Sequence, residues 1–246
     1  MKKNNKDKVV VTMPAYFAER TVEAIYKGID KKIVDDVILV DDASKDTTTK
    51  VSKKLGITTF THKKNKGYGG NQKTCYTNAL KTNAEFIIML HPDGQYNPKD
   101  LPKFVDALKK GKADLILGSR FLKGGDKETP FYKAISIRFI TMLFDLILGL
   151  KLTEVNTGYR GYTRKLLETI PFRKNGNGYI FDPQLLIQAV YFGFKIGEVP
   201  VTKAYNPERI EPNFKKSLEH GLENLKLLIQ YVLHRLRVVK IHFLTP

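Results

Sequence analysis

The 246-residue sequence predicts an α/β domain with a mostly parallel central sheet flanked by helices and with amphipathic helices towards its C-terminus. Three observations predict it. Short apolar, β-branched runs alternate with helical stretches through the first half, and strands that alternate with helices pair in parallel and are covered on both faces. These runs stop at proline or at polar residues, as strands do when they reach the rim of a sheet. The composition, 42% hydrophobic and 27% charged, is that of a globular chain with a substantial core.

Val9 to Met13 reads as the first strand and stops at Pro14. The loop Pro14-Ala15-Tyr16-Phe17-Ala18-Glu19 lies beyond its carboxyl end, and Thr21 is placed to cap the helix that follows. Val37 to Val40 is the second strand and runs into Asp41-Asp42-Ala43-Ser44-Lys45-Asp46. Paired carboxylates at such a place are costly to bury and usually contact something. Ser44 or Asp46 is equally placed to cap a helix. Ile57 to Thr61 is the third strand, followed by the glycine-rich run Asn65-Lys66-Gly67-Tyr68-Gly69-Gly70-Asn71 and a helix from about Asn71 to Lys81. Such a loop offers backbone N–H groups at a helix N-terminus, where anions are favoured. Its spacing matches neither a P-loop nor a dinucleotide fingerprint.

The fourth strand, Phe86 to Leu90, delivers Met89-Leu90-His91-Pro92-Asp93-Gly94-Gln95. Pro92 ends the ladder, Gly94 permits a turn, and Asp93 and Gln95 appear together. Ligands of open α/β sheets sit beyond the carboxyl ends of the strands. Two oxygen donors there suit a hard cation such as Mg2+ completed by substrate phosphates; a polar turn without a ligand is the plain alternative. A helix from about Lys99 to Lys109 and a strand from Leu115 to Gly118 lead to Ser119-Arg120-Phe121, where Arg120 serves either a salt bridge or a phosphate. Glu19, Asp42, Asp93 and Arg120 should therefore converge at one rim.

The second half differs in texture. Residues 131–150 are apolar but carry Lys133, Arg138 and Asp145, so they read as amphipathic helix that packs on the sheet or lies in a membrane interface. Asn156-Thr157-Gly158-Tyr159-Arg160-Gly161-Tyr162 reads as loop and Asn175 to Gly178 as a flexible loop. Phe181-Asp182-Pro183 heads a helix reaching about Phe192, with Asp182 as its cap or as a functional carboxylate, and Lys195 to Val199 is the last strand. Residues 203–246 form a basic amphipathic tail, eight Lys/Arg against four Glu, with leucines and valines at helical spacing from Leu218 to Val239.

A net charge of +17 favours a polyanionic partner: nucleic acid, an anionic membrane face or a phosphorylated substrate. The single cysteine, Cys75, excludes an internal disulfide framework and fits a reducing compartment. No His/Cys cluster has zinc spacing. Residues 1–8 are polar and Lys-rich, which reads as a flexible N-terminus rather than a signal peptide.

Taken in order, these motifs resemble family 2 glycosyltransferases, especially the polyprenyl-phosphate (dolichyl-phosphate mannose synthase-like) sugar transferases. Pro14-Ala15-Tyr16 with Glu19 resembles the opening nucleotide loop; Asp41 to Thr47 resembles the second, and Asn65-Lys66-Gly67 with Gly70 the third. Asp93-Gly94-Gln95 is similar to the Asp-x-Asp-x-Gln metal motif, whose first Asp is His91 here. Gly118-Ser119-Arg120, Thr157-Gly158-Tyr159-Arg160 and Glu198-Val199-Pro200 match later landmarks. The family's Arg-x-x-Gly-x-Ser-Lys signature is replaced by Tyr205-Asn206-Pro207-Glu208-Arg209, and its transmembrane hairpin is missing, as in the shortest members.

The resemblance implies a glycosyltransferase-A (Rossmann-like) catalytic domain over residues 9–202. It implies inverting transfer of a sugar, from a GDP- or UDP-sugar, to a polyprenyl phosphate at the cytoplasmic face of the membrane. Mg2+ or Mn2+ would sit on Asp93 and Gln95. Pro14, Ala15, Tyr16, Glu19, Asp42, Lys66, Gly67, His91 and Asp93 would hold the nucleotide sugar. Arg120, Ser136, Arg138, Arg160 and Arg209 would serve the acceptor or phosphates. Asp93, Arg120 and Asp182 would be catalytic, with Asp182 the base if the acceptor is a sugar hydroxyl, because a lipid phosphate needs none. An inert sugar-nucleotide binder is a rival reading. A nucleic-acid module is another, disfavoured because the lysines are scattered and carboxylates cluster at the site, so no nucleic acid partner is expected.

Overall fold

A computed structural model of the chain describes residues 7–125, 131–202 and 214–245. Arg209 and nearly all of the N-terminal stretch 1–8 lie outside the described residues. The first half runs β1 (Val9–Ala15), α1 (Val22–Gly28), β2 (Asp36–Asp41), α2 (Thr48–Lys54), β3 (Thr58–Thr61), α3 (Gly67–Lys81), β4 (Phe86–Met89), α4 (Leu101–Lys109) and β5 (Leu115–Ser119). It continues with α5 (Phe131–Leu148), β6 (Arg160–Thr163), α6 (Arg164–Thr169), α7 (Phe181–Tyr191), β7 (Ile196–Pro200) and α8 (Phe214–Arg235).

The strands form one sheet in the order β3-β2-β1-β4-β6-β5-β7. Every pair is parallel except those made by β6, which runs antiparallel between β4 and β5. The carboxyl ends of β1, β2, β4 and β5 therefore share one rim, and β1 lies between β2 and β4, with Val11 opposite both Val37 and Ile88. Asp42 and Asp93 follow the two strands that flank β1, so both come to that rim.

β1 can open with four β-branched residues in a row, Val9 to Thr12, because both of its faces are buried. Val10 points with Ile38, Val40, Ile87 and Met89 towards α3, α6 and α7, while Val9, Val11 and Met13 point with Leu39 and Ile88 towards α1 and α4. The core thus has two layers, one on each face of the sheet.

β6 is the strand the sequence did not announce. Arg-Gly-Tyr-Thr has no apolar alternation, and its backbone is held by neighbours far away in sequence: Gly161 lies opposite both Ile88 and Ile116. The C-terminal segment is built into the core rather than appended to it. Leu227, Leu228 and Tyr231 of α8 and Phe243 and Leu244 beyond it are buried among residues of α3 and α7, and Gln188 donates to the Phe243 carbonyl at 2.7 Å.

Candidate active site

The loops after β1 and β2 are laced to each other. Asp42 N donates to Ala15 O, Phe17 N to Ser44 Oγ (both 2.9 Å), and Ala18 N to Thr48 Oγ1 at 2.8 Å. The Glu19 carboxylate takes both the N–H and the hydroxyl of Thr47, and these bonds, the backbone one first, hold its carboxyl below the usual range. Asp46 accepts from Thr48 N at 3.0 Å and so caps α2. Pro14 and Ala15 prove to be buried strand residues, so of the opening motif only Tyr16 turns a side chain outward, 55% exposed and edge-on to Phe17. Phe17 and Ala43 both adopt positive φ, 53° and 61°, facing each other across this lacing.

Asp42 was expected to meet the nucleoside. Its carboxylate is instead consumed within the protein, accepting from Lys66 N (2.8 Å) and Gly67 N (3.0 Å), with His62 Nδ1 2.6 Å away. It is buried and acts as a cap brought from another loop to the N-terminus of α3. The rest of that N-terminus is occupied too. Gly69 N and Gly70 N both donate to Asn177 O, and a Cβ on Gly69 would lie 2.6 Å from Gly176 O and from Phe181 Cβ. The glycine run thus makes room for residues 175–178, and its N–H groups serve the protein's own oxygens rather than a substrate anion. Gly67 is therefore a backbone anchor, while the Lys66 side chain is exposed at the rim. The 175–178 segment is correspondingly tied down: Asn175 is buried and bonded to Gln188, and Lys73 reaches Asn175 O and Asn177 Oδ1.

β4 ends one residue before Leu90, and Gly94 turns the chain at φ 74°. Asp93 is exposed and its Oδ1 accepts Gln95 N at 2.9 Å, which folds the turn so that Asp93 and Gln95 share it. The Thr21 hydroxyl does not cap α1; it donates to Pro92 O and ties the head of α1 to this turn. Among the described residues no three His, Cys, Asp or Glu side chains come together as a closed metal site. An exposed carboxylate with a neighbouring amide oxygen fits a hard cation whose remaining ligands come from phosphates and water.

Beside this turn lies a second cluster. Tyr68, at the head of α3, donates to Asp182 Oδ2 at 2.7 Å and sits 3.3 Å from His91 Nε2, with the two rings parallel within 5°. Burial and the Asp182 charge push the Tyr68 hydroxyl well up, so it stays a donor; burial lowers the His91 imidazole. Asp182 does not cap α7, since it lies inside the first turn, after Ile180. Its Oδ1 is buried and has no hydrogen-bond partner, 3.9 Å from Arg160 Nε. Tyr179, 60% exposed, packs against Tyr68 and also meets His220 of α8.

Two arginines fail as phosphate ligands. Arg160 is fully buried within β6 and spends its guanidinium on the carbonyls of Thr157, Asp182 and Val155. Arg120 is 8% exposed, and Glu154 takes its Nε, its Nη2 and its backbone N–H. Arg120 is a structural ion pair whose counter-charge comes from Glu154, and Arg160 is satisfied by backbone carbonyls. Ser136 and Arg138 lie exposed on α5, Arg138 over the Phe121 ring.

Comparison with known proteins decides the family: the one described as Glycosyl transferase family 2 matches residues 10–171. The chain belongs to this family. It is a nucleotide-sugar glycosyltransferase. A Methanocaldococcus jannaschii protein of unassigned function is 30% identical over 82% of this glycosyltransferase and 83% of its own length. The UDP-N-acetylglucosamine–dolichyl-phosphate N-acetylglucosaminyltransferase of Methanococcus voltae is 25% identical over 81% and 87%. The polyprenol monophosphomannose synthase of Mycolicibacterium smegmatis is 28% identical over 68% and 65%. Among solved structures, glucosyl-3-phosphoglycerate synthase of Mycobacterium tuberculosis, bound to Mn2+, UDP and phosphoglyceric acid, superposes with a TM-score of 0.69 at 19% identity, covering 95% of this chain and 80% of that one. That likeness establishes the glycosyltransferase-A fold.

Proposed function

We propose that this glycosyltransferase moves one sugar from a GDP- or UDP-sugar to a polyprenyl phosphate, with inversion, while resting on an anionic membrane face on the cytoplasmic side. The observation that carries the acceptor is a pair of packed helices that keep apolar faces in water. On α5, Ile135, Phe139, Met142 and Leu146 are exposed at helical spacing; on α8, Leu222, Leu225, Ile229 and Val232 are, with Leu236 just beyond its end. Lys226, Arg235, Arg237 and Lys240 are exposed among or just after the latter, and Arg138 on the former. Among the described residues no helix is long and apolar enough to cross a membrane. Apolar stripes bordered by cations suit the boundary of an anionic bilayer instead. Two relatives carry names of transferases that use dolichyl phosphate or polyprenol monophosphate, in accord with this reading.

Asp93 and Gln95 would hold the cation, Mg2+ or Mn2+, which when bound neutralises charge on the departing nucleoside diphosphate. Tyr16 offers its ring to the nucleotide base, and Glu19 keeps the two nucleotide loops in register. A phosphate acceptor is already an anion and attacks the anomeric carbon unaided. A second reading, a saccharide hydroxyl as acceptor, is favoured by one observation: Asp182 Oδ1 is a buried carboxylate oxygen with no partner, as a base awaiting a proton would be. Incubating the enzyme and Mn2+ with a panel of UDP- and GDP-sugars tests both. Radiolabel should pass into organic extract with undecaprenyl phosphate; label passing only to free saccharides would select the second reading.

A further inference from the structure

We propose that His91 is a positioning residue that orients the Asp182 carboxylate through Tyr68, rather than a contact to the nucleotide sugar. His91 stands where the family motif has its first carboxylate, and nothing in the proposed function uses it. Three observations assign it.

The first is the direction of the hydrogen bonds. Tyr68 gives its proton to Asp182 Oδ2, so its oxygen is left to accept, and among the described residues the group placed to donate is His91 Nε2. The chain therefore reads His91 Nε2–H to Tyr68 O–H to Asp182 Oδ2. The second is that space has been cleared for it. A Cβ on Gly158 would lie 2.9 Å from His91 Nε2 and 3.2 Å from the Tyr68 hydroxyl, so the glycine of the Thr157-Gly158-Tyr159 motif is what lets the two meet. The third is what the relay leaves over. With Oδ2 held by Tyr68 and Arg160 lying 3.9 Å from the other oxygen, Asp182 keeps one carboxylate oxygen, Oδ1, buried and uncommitted.

A carboxylate in the place of His91 would have to face the Asp182 carboxylate across one phenol, and Tyr68 has a single proton to give. The imidazole resolves this by donating where a carboxylate can only accept. The row of ring contacts then continues from Tyr68 through Tyr179 to His220 on α8, so Asp182 lies on the side of the metal turn that looks towards the helices proposed to meet the acceptor. The inference rests on the saccharide-hydroxyl reading, in which Asp182 is the base, and it concerns turnover rather than donor binding.

The experiment replaces His91 with Asp, Ala and Gln, and Tyr68 with Phe. Calorimetry with UDP- and GDP-sugars and Mn2+ should give donor affinities within about threefold of wild type for every variant. With a saccharide acceptor, whose hydroxyl needs the Asp182 base, H91D, H91A and Y68F should lower kcat by roughly 10- to 100-fold, the cost of a misplaced group in a reacting geometry. H91Q, whose amide can donate near the position of Nε2, should recover most of the loss, which a space-filling role would not give. The double variant H91A/Y68F should be no slower than the worse single one, because both cut the same chain. Loss of donor affinity in H91A, or wild-type turnover in H91D, overturns the proposal. If wild-type enzyme transfers nothing to a saccharide hydroxyl, that acceptor reading fails by itself. The relay is then decided by the melting temperatures of H91A, Y68F and the double variant: additive losses overturn it, and non-additive losses support it.

Discussion

The rim proposed to hold the nucleotide and the helices proposed to meet the acceptor are built on opposite principles. Around β1, β2 and the head of α3, polar groups that a substrate might have met are spent on one another: Asp42 on Lys66 and Gly67, Glu19 on Thr47, and the N–H groups of Gly69 and Gly70 on Asn177. The result is a preorganised rim in which a few atoms, those of Tyr16, Asp93 and Gln95, turn outward. Across the molecule, α5 and α8 bury one face each in the core and leave the other to water, 79% exposed at Leu146. One side is finished by internal hydrogen bonds; the other is left for something else to cover. Rigidity on the donor side limits the entropy lost when the nucleotide is held, whereas a surface that meets a fluid bilayer has no fixed partner geometry to match.

The sharpest way to break this comparison is at Asp93. Even groups that only support a metal ligand typically cost 10–100-fold when removed, so Asp93→Ala should weaken Mn2+-dependent binding of UDP or GDP by more than about 100-fold. Its circular dichroism and melting temperature should be unchanged, because the side chain is exposed. Unchanged affinity by calorimetry would place the cation elsewhere.

Next comes the clamp on α3. Gly69→Ala sets a methyl against Gly176 O and Phe181 Cβ, each at 2.6 Å, in a region with no room to yield. Overpacking of this kind costs about 1–3 kcal/mol, read as a fall in melting temperature of about 2–4 °C for each kcal/mol in a chain of this size. A variant as stable as wild type would mean that the nucleotide side is looser than its hydrogen bonds suggest.

On the acceptor side the expected effects are reversed. Leu146→Asp and Ile229→Asp should leave the unfolding free energy within about 0.5 kcal/mol of wild type, as for most surface substitutions. Together they should abolish co-sedimentation with phosphatidylglycerol vesicles while donor affinity stays the same. Wild-type binding should weaken from low to high salt, since each Lys or Arg near an anionic surface contributes about 1 kcal/mol through a screened layer. No wild-type binding at low salt would leave the apolar stripes for another partner and favour the saccharide hydroxyl as acceptor.

The smallest effect belongs to Glu19. Its folded carboxyl is held below the ordinary range by the two Thr47 bonds, so the stability it lends is present above the unfolded pKa and is lost as pH falls through the lower folded value. Glu19→Gln should therefore melt slightly below wild type at pH 7, and the gap should close as the pH drops below about 4, where the unfolded carboxyl takes up its proton. A gap that persists at pH 3 would assign the difference to the amide's shape rather than to the lost charge.

By itself the sequence determined the alternation of strands and helices, the rim to which Asp42 and Asp93 come, the turn that pairs Asp93 with Gln95, and the family. All of these are local: they rest on β-branched runs buried on both faces and on proline and glycine where strands stop. Only the tertiary structure decided what each polar group at the rim touches. Asp42 caps a helix that begins 25 residues later, and Tyr68 reaches Asp182 across 114 residues. Arg120 and Arg160 turn inward to Glu154 and to backbone carbonyls, and Arg-Gly-Tyr-Thr becomes a strand because β4 and β5 leave a slot between them. The reason is the same in each case. A buried charge or N–H group must find a partner wherever the fold brings one, and nothing in the spacing of residues along the chain records which distant group arrives first.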